Sequence, residues 1–255
     1  KQQEATLLDS AKQSGYDAVA YRLIALYHWT KATEQLAVYM LQGAPPAIDT
    51  ELDQHFESAR SAAQAATDAS LDVLLRWLHI ASRRMVASSI WWVAQKVNSR
   101  VSLFVNQAAK RSMFELLPPQ RAALQEQGLL DQANQAVVIN LPTSGGKTVL
   151  AQFRMLQALN QFADENGWIA YVAPTRALVS QVTRRLRTDF EPLGVNVEYL
   201  SAAVDLDGCE QVLLQEKEAT KSFHVLVSTP EKLNLLIRKQ IVQRPLALVV
   251  MDEAH

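Results

Sequence analysis

The sequence predicts an α/β domain with a parallel sheet and flanking helices, preceded by an all-helical domain. Residues 1–113 are rich in alanine, leucine, glutamine and arginine, with few glycines and almost no β-branched runs, which is the composition of packed helices. From residue 114 on, short apolar runs (Ala136–Leu141, Trp168–Ala173, Phe223–Ser228, Leu246–Met251) alternate with stretches of helical spacing, the signature of strands joined by crossover helices. A chain of 255 residues with 49% apolar content is large enough to bury a core in each part.

In chain order, Asp17 to Gln42 carries Val19, Leu23, Leu26, Tyr27 and Thr30 at helical spacing, and Gly43-Ala44-Pro45-Pro46 stops it. A second helix begins near Thr50-Glu51, and a third begins near Asp68 and is expected to run past Trp92 towards Lys110. Trp77, Trp91 and Trp92, with Arg83, Arg84, Arg100, Lys110 and Arg111, could form a nucleic-acid surface. Aromatics at these spacings more often fill seams between helices while long basic side chains lie in solvent, and that reading is preferred. His28, His55 and His79 have no partners at metal-ligand spacing and read as structural. Phe114 to Gln120 marks a join, where Pro118-Pro119 end one helix before Arg121-Ala122-Ala123-Leu124 resumes helical spacing.

The chemistry is concentrated in Ala136 to Thr148. An apolar run expected to be a buried strand leads into a loop of small residues, and Lys147-Thr148 opens a helix. Gly145 and Gly146 let the backbone fold back so that its N–H groups, with those of the helix start, converge on one anion. Lys147 is placed to reach β- and γ-phosphates, and the Thr148 hydroxyl to ligate Mg²⁺. The pattern G-x-x-x-x-G-K-[ST] is met except at its first position, which is Leu141. The helix that follows, to about Asn160, turns Leu150, Phe153, Leu156 and Leu159 towards a sheet.

Trp168 to Ala173 is the next strand; Pro174 ends it and a helix runs from Thr175 to about Phe190, with Arg184, Arg185 and Arg187 on its solvated face. Val195 to Leu200 alternates like a half-exposed strand. Asp205-Leu206-Asp207-Gly208 is a turn lacking the remaining ligands of a calcium loop. Phe223 to Ser228 is a strand, and Thr229-Pro230 starts a helix with proline at a favoured early position. Leu246 to Met251 reads as a buried parallel strand that delivers Asp252 and Glu253 at its carboxyl edge, where such sheets bind their ligands. One of these carboxylates can hold Mg²⁺ while its neighbour orients or deprotonates a water.

Four segments in this order, Leu141–Thr148, Ala173–Leu178, Ser228–Leu233 and Asp252–His255, resemble motifs I, Ia, Ib and II of the DEAH-box helicases of superfamily 2, most closely the superkiller-like branch. The resemblance spans Phe114 to His255 and implies a RecA-like, P-loop NTPase lobe over residues 114–255, truncated at motif II, behind a helical accessory domain over 1–113. It implies ATP and Mg²⁺ as cofactors: Gln120 at the adenine edge, where an amide can donate and accept at once; Thr143, Ser144, Gly145, Gly146, Lys147 and Thr148 around the phosphates; Thr148 and Asp252 on the metal; Glu253 as base or water-positioner. Single-stranded nucleic acid, DNA favoured over RNA, would lie on Pro174, Thr175, Arg176, Thr229 and Pro230. Arg176 read without the resemblance is a helix cap or an internal ion-pair residue, and Thr229 is an N-cap. His255 would couple the site to a second RecA-like lobe, which the family supplies with arginine fingers.

The net charge of −1, with neither part basic, supplies no electrostatic footprint for nucleic acid, so that partner rests on the motifs alone. The single cysteine, Cys209, excludes an intrachain disulfide framework and a cysteine-based zinc site, and favours a cytoplasmic location. No apolar stretch is long enough for a transmembrane helix, so no membrane partner is expected. Starting at Lys1 and ending as motif II is completed, the chain is expected to be a piece of a longer ATP-dependent helicase, poorly active alone. A double-strand translocase that does not unwind, and a nucleotide-switched scaffold whose helical domain recruits a partner protein, remain as alternatives.

Overall fold

The structure is a computed structural model and describes all residues except 1, 15, 46, 95–98, 132, 143–144, 201–213, 215–222 and 254–255. The expected Asp205–Gly208 turn and Cys209 therefore lie outside the described residues. The chain forms two compact units, one of Lys1–Gln95 with Ala108–Pro118 and the other of Lys96–Gln107 with Pro119–His255.

The first unit is helical: α1 (Gln2–Ser14), α2 (Asp17–Gln42), α3 (Ile48–Ala65), α4 (Ala69–Ser88) and α5 (Ile90–Ala94). Helix α2 ends where predicted, because Gly43 adopts a left-handed conformation and its N–H caps the Tyr39 carbonyl at 2.7 Å. A side chain at Gly43 would strike Trp91, whose indole Nε1 donates to the Met40 carbonyl at 2.9 Å. Asp68 caps α4 by accepting from the Leu71 N–H and also pairs with Arg22, while Arg60 pairs with Asp72. The expected continuous helix past Trp92 is broken at Ser89, which is extended and bridges to Glu115. The histidines have structural partners. His28 meets His55 at 3.1 Å, His79 pairs with Asp53 at 2.6 Å, and no metal-holding group of three occurs among the described residues. Trp91 fills a seam as expected, but Trp77 does not: it is 68% exposed beside exposed Val73, Leu74 and Ile80 on α4.

The second unit holds most of α6 (Ser99–Lys110), then α7 (Pro118–Gln125), α8 (Lys147–Gln161), β1 (Trp168–Val172), α9 (Arg176–Phe190), β2 (Val197–Tyr199), β3 (Val225–Ser228), α10 (Pro230–Arg238) and β4 (Leu246–Met251). The four strands pair in parallel in the order β2-β3-β1-β4. Alternation along β1 sends Trp168, Ala170 and Val172 into a core with Phe223, Leu226 and Leu233. Helix α8 packs on β1 and β4, and α9 on β2 and β3. The Phe104 ring of α6 sits edge-on to Phe153 and Phe190, adding an aromatic contact of roughly 1 kcal/mol beyond its burial.

Two strand expectations are corrected. Ala136 to Leu141 forms no strand; Val138 is 93% exposed, and only Ile139 and Leu141 pack, against Ala123, Leu129 and Leu150. Leu246 to Met251 is a strand, but it is a half-exposed edge rather than a buried interior element. The physical reason is shared. A strand's apolar side chains are buried only where other elements cover its faces; among the described residues Ala136–Leu141 pairs with no strand and β4 pairs with β1 alone.

Candidate functional site

Strands β1, β3 and β4 are parallel, so their ends at Val172, Ser228 and Met251 share one edge of the sheet. Helix α8 reaches the same edge. Its far end comes near the start of β4: a Cβ on Gly167 would fall 2.7 Å from Phe162, the C-cap of α8, and 3.2 Å from Ala247. Fifteen helical residues span about 22 Å, close to the length of β4 at about 20 Å. The start of α8, at Lys147 and Thr148, therefore lies at the end of the helix away from Ala247, in the direction in which β4 runs towards Asp252 and Glu253.

The loop before α8 is tightly turned. The Gly145 N–H donates to the Pro142 carbonyl at 2.8 Å, and Gly146, the N-cap, is left-handed with φ of 72°. Among the described residues no side chain caps the helix start, which leaves its first N–H groups and the positive end of its dipole available to an anion. Gln120, on α7, is buried and donates from Nε2 to the Gly145 carbonyl at 3.2 Å; any Cβ on Gly146 would fall 2.1 Å from that nitrogen. Gln120 thus braces the loop from beneath, a contact the sequence did not suggest. Thr143 and Ser144 lie outside the described residues.

Asp252 is held twice. Its N–H donates to the Val172 carbonyl at 2.9 Å, and its Oδ2 accepts from the Tyr171 hydroxyl at 2.7 Å. Burial, followed by the hydrogen bond and charge of Asp252, pushes the Tyr171 phenol far above its ordinary value, so it stays a donor. Glu253 is exposed and has a positive φ of 50°, a conformation costing a non-glycine residue roughly 1 kcal/mol. His255 lies outside the described residues.

Pro174, Thr175 and Arg176 are exposed immediately beyond β1, and the Thr175 hydroxyl caps α9 by accepting from the Leu178 N–H at 3.3 Å. Thr229 occupies the N-cap position of α10 without bonding a backbone N–H. The N–H of Glu231 itself, and then the Thr229 hydroxyl, hold the Glu231 carboxyl below the usual range. Pro230 follows, exposed, as the first residue of α10. Tyr171 is the residue sequence reasoning missed. A tyrosine inside an otherwise apolar strand, one residue before its end, was the available signal, since a buried phenol seeks a partner.

The residues present fit a magnesium–nucleotide group: hard oxygen donors on Thr148 and Asp252, an uncapped helix start, and a glycine where a side chain would collide.

Residues 118–255 match the family described as DEAD/DEAH box helicase. The chain is 29% identical to the Hachiman protein HamB of Bacillus cereus over 71% of its own length and 16% of that protein. It is 30% identical to the ATP-dependent DNA helicase Hel308 of Methanocaldococcus jannaschii over 56% of its length and 11% of that protein. With activating signal cointegrator 1 complex subunit 3 of Danio rerio it shares 30% identity over 48% of its length and 8% of that protein. The chain therefore spans only a small part of each of these relatives. A solved structure of the DUF1998 helicase MrfA bound to DNA and AMPPNP aligns with 62% of this chain and 21% of that one, at 22% identity and a TM-score of 0.46.

Proposed function

The chain belongs to the DEAD/DEAH box helicase family, and from that premise we propose that it is a superkiller-like member of it, the nucleotide-binding part of an ATP-dependent motor that moves along and unwinds nucleic acid, DNA in preference to RNA. The reading is supported by two features, the glycine turn leading into α8 and the acidic pair that follows β4, the strand on which α8 packs. The description of Hel308 as an ATP-dependent DNA helicase supports DNA.

In this reading the N–H groups of the loop and α8 start bind the phosphates, and Lys147 neutralises charge developing on the transferred phosphoryl group. Thr148 and Asp252 hold Mg²⁺, which when bound neutralises phosphate charge. Glu253 orients the attacking water and accepts its proton. Gln120, while bracing the loop, reads the adenine edge. Thr143 and Ser144 join the phosphate cradle. Pro174, Thr175, Arg176, Thr229 and Pro230 line the path of a single strand, positioning its backbone rather than reading sequence. His255 couples the site to a second lobe whose closure converts hydrolysis into movement. Among the described residues no helix is long and apolar enough to cross a membrane, and a cytoplasmic place of action is part of the proposal.

The test uses the full-length protein with Lys147→Ala and Glu253→Gln, assayed for DNA-stimulated ATP turnover and for unwinding of a tailed duplex. Both variants are expected to lose turnover by at least about 100-fold and to stop unwinding. Turnover that depends on Lys147 without strand separation in the parent would favour a double-strand translocase. Unchanged turnover and unwinding in both variants would contradict the motor and leave a nucleotide-switched scaffold.

A further inference from the structure

We propose that Tyr171 is a positioning residue that holds the Asp252 carboxylate in its metal-binding orientation. The inference rests on the nucleotide-site reading above and adds to it a residue from outside the four motif segments. Asp252 follows an edge strand, with β1 on one side only and exposed residues along its length. Its backbone is fixed by the Val172 carbonyl, but a backbone bond leaves the side-chain torsions free. Those are restrained from the neighbouring strand, where the Tyr171 hydroxyl donates 2.7 Å to Oδ2.

Tyr171 is suited to that work because its own ring is enclosed by the sheet interior. It is 2% exposed, in a strand paired on both edges, and lies opposite Val227 of β3 and Val250 of β4. The rigidity of the sheet interior is thereby passed to a carboxylate at its rim. With Oδ2 accepting from the phenol, Oδ1 would be the oxygen able to give the single contact that small hard cations accept from a carboxylate.

Removing partners of this kind typically weakens metal affinity by about 10–100-fold. In the full-length protein, Tyr171→Phe is expected to raise the Mn²⁺ concentration that half-saturates the nucleotide-bound protein, read by electron paramagnetic resonance, by that factor. Nucleotide affinity in EDTA is expected to stay unchanged. Replacing Tyr171 with 4-aminophenylalanine, which donates, should restore Mn²⁺ affinity; 4-fluorophenylalanine, which fills the same space without donating, should not. That pair carries the test even where Phe perturbs folding. Asp252→Asn separates the two levels: unchanged Mn²⁺ affinity in Asp252→Asn would overturn the parent site. A large loss there with parental affinity in Tyr171→Phe and in the fluoro variant would overturn the role of Tyr171 alone.

Discussion

Strands β1 and β4 lie side by side in parallel, with a shift of register between Trp168 and Ile169, and both sequences, Trp-Ile-Ala-Tyr-Val and Leu-Ala-Leu-Val-Val-Met, are apolar. Every residue of β1 is buried, whereas Leu246, Val249 and Met251 of β4 are exposed. The difference comes from neighbours rather than composition. β1 has β3 and β4 on its edges and α8 and α10 packed on it; among the described residues β4 has β1 alone as a paired strand. Yet β4 carries the acidic pair, and the link that steadies Asp252 is made by the better-packed strand. A rigid interior strand can thus order chemistry displayed on a less constrained one.

The contrast is broken most forcefully by truncating an aliphatic side chain to alanine in each strand. Ile169→Ala, at a fully buried position of β1, is expected to cost about 2–5 kcal/mol in denaturant unfolding. Val249→Ala, 41% exposed on β4, is expected to cost less than about 1 kcal/mol. Equal losses would mean that the β4 edge is covered in solution. A smaller effect comes from charging that edge. Val249→Lys should change stability by no more than about 0.5 kcal/mol, while lowering self-association of the isolated chain in sedimentation, because lysine disfavours edge-to-edge pairing. Unchanged association would show that the edge is not the sticky surface.

The smallest effect concerns the other neighbour of β1. His224, just before β3, accepts the Asn196 N–H on Nδ1 at 3.0 Å, an arrangement that requires a neutral ring. Burial, and then the charges of Arg100 and Arg244, push its imidazole below the ordinary value. Above about pH 6.5 both folded and unfolded chains hold it neutral and nothing changes. As pH falls below that value the unfolded chain takes up the proton first, so stability declines until the lower folded value is passed. His224→Gln should flatten the pH 5–7 stability profile; an unaltered slope would assign it to other groups.

Much of the second unit was legible because its signals are local. Pro174 ends β1, Thr175 caps α9, and Gly146 turns the chain into α8 at the positions their chemistry dictates. The failures share one cause, dependence on residues distant in sequence. Val138 looks like a core strand residue but has no strand beside it, and Trp77 looks like seam filler but faces outward. Ser89 interrupts a helix through a bridge to Glu115. Within the candidate site the motif residues could be read directly, since loop glycines and paired carboxylates carry their own chemistry. The Gln120 brace and the Tyr171–Asp252 bond span 25 and 81 residues, and no local pattern announces them.

The most direct measurement is a crystal structure of the full-length protein with a non-hydrolysable ATP analogue and Mg²⁺. One triphosphate should touch the loop N–H groups and Lys147, with Thr148 and Asp252 on the same ion and Tyr171 still bonded to Asp252. A nucleotide bound away from Lys147, or an ion out of reach of Asp252, would contradict a single shared site.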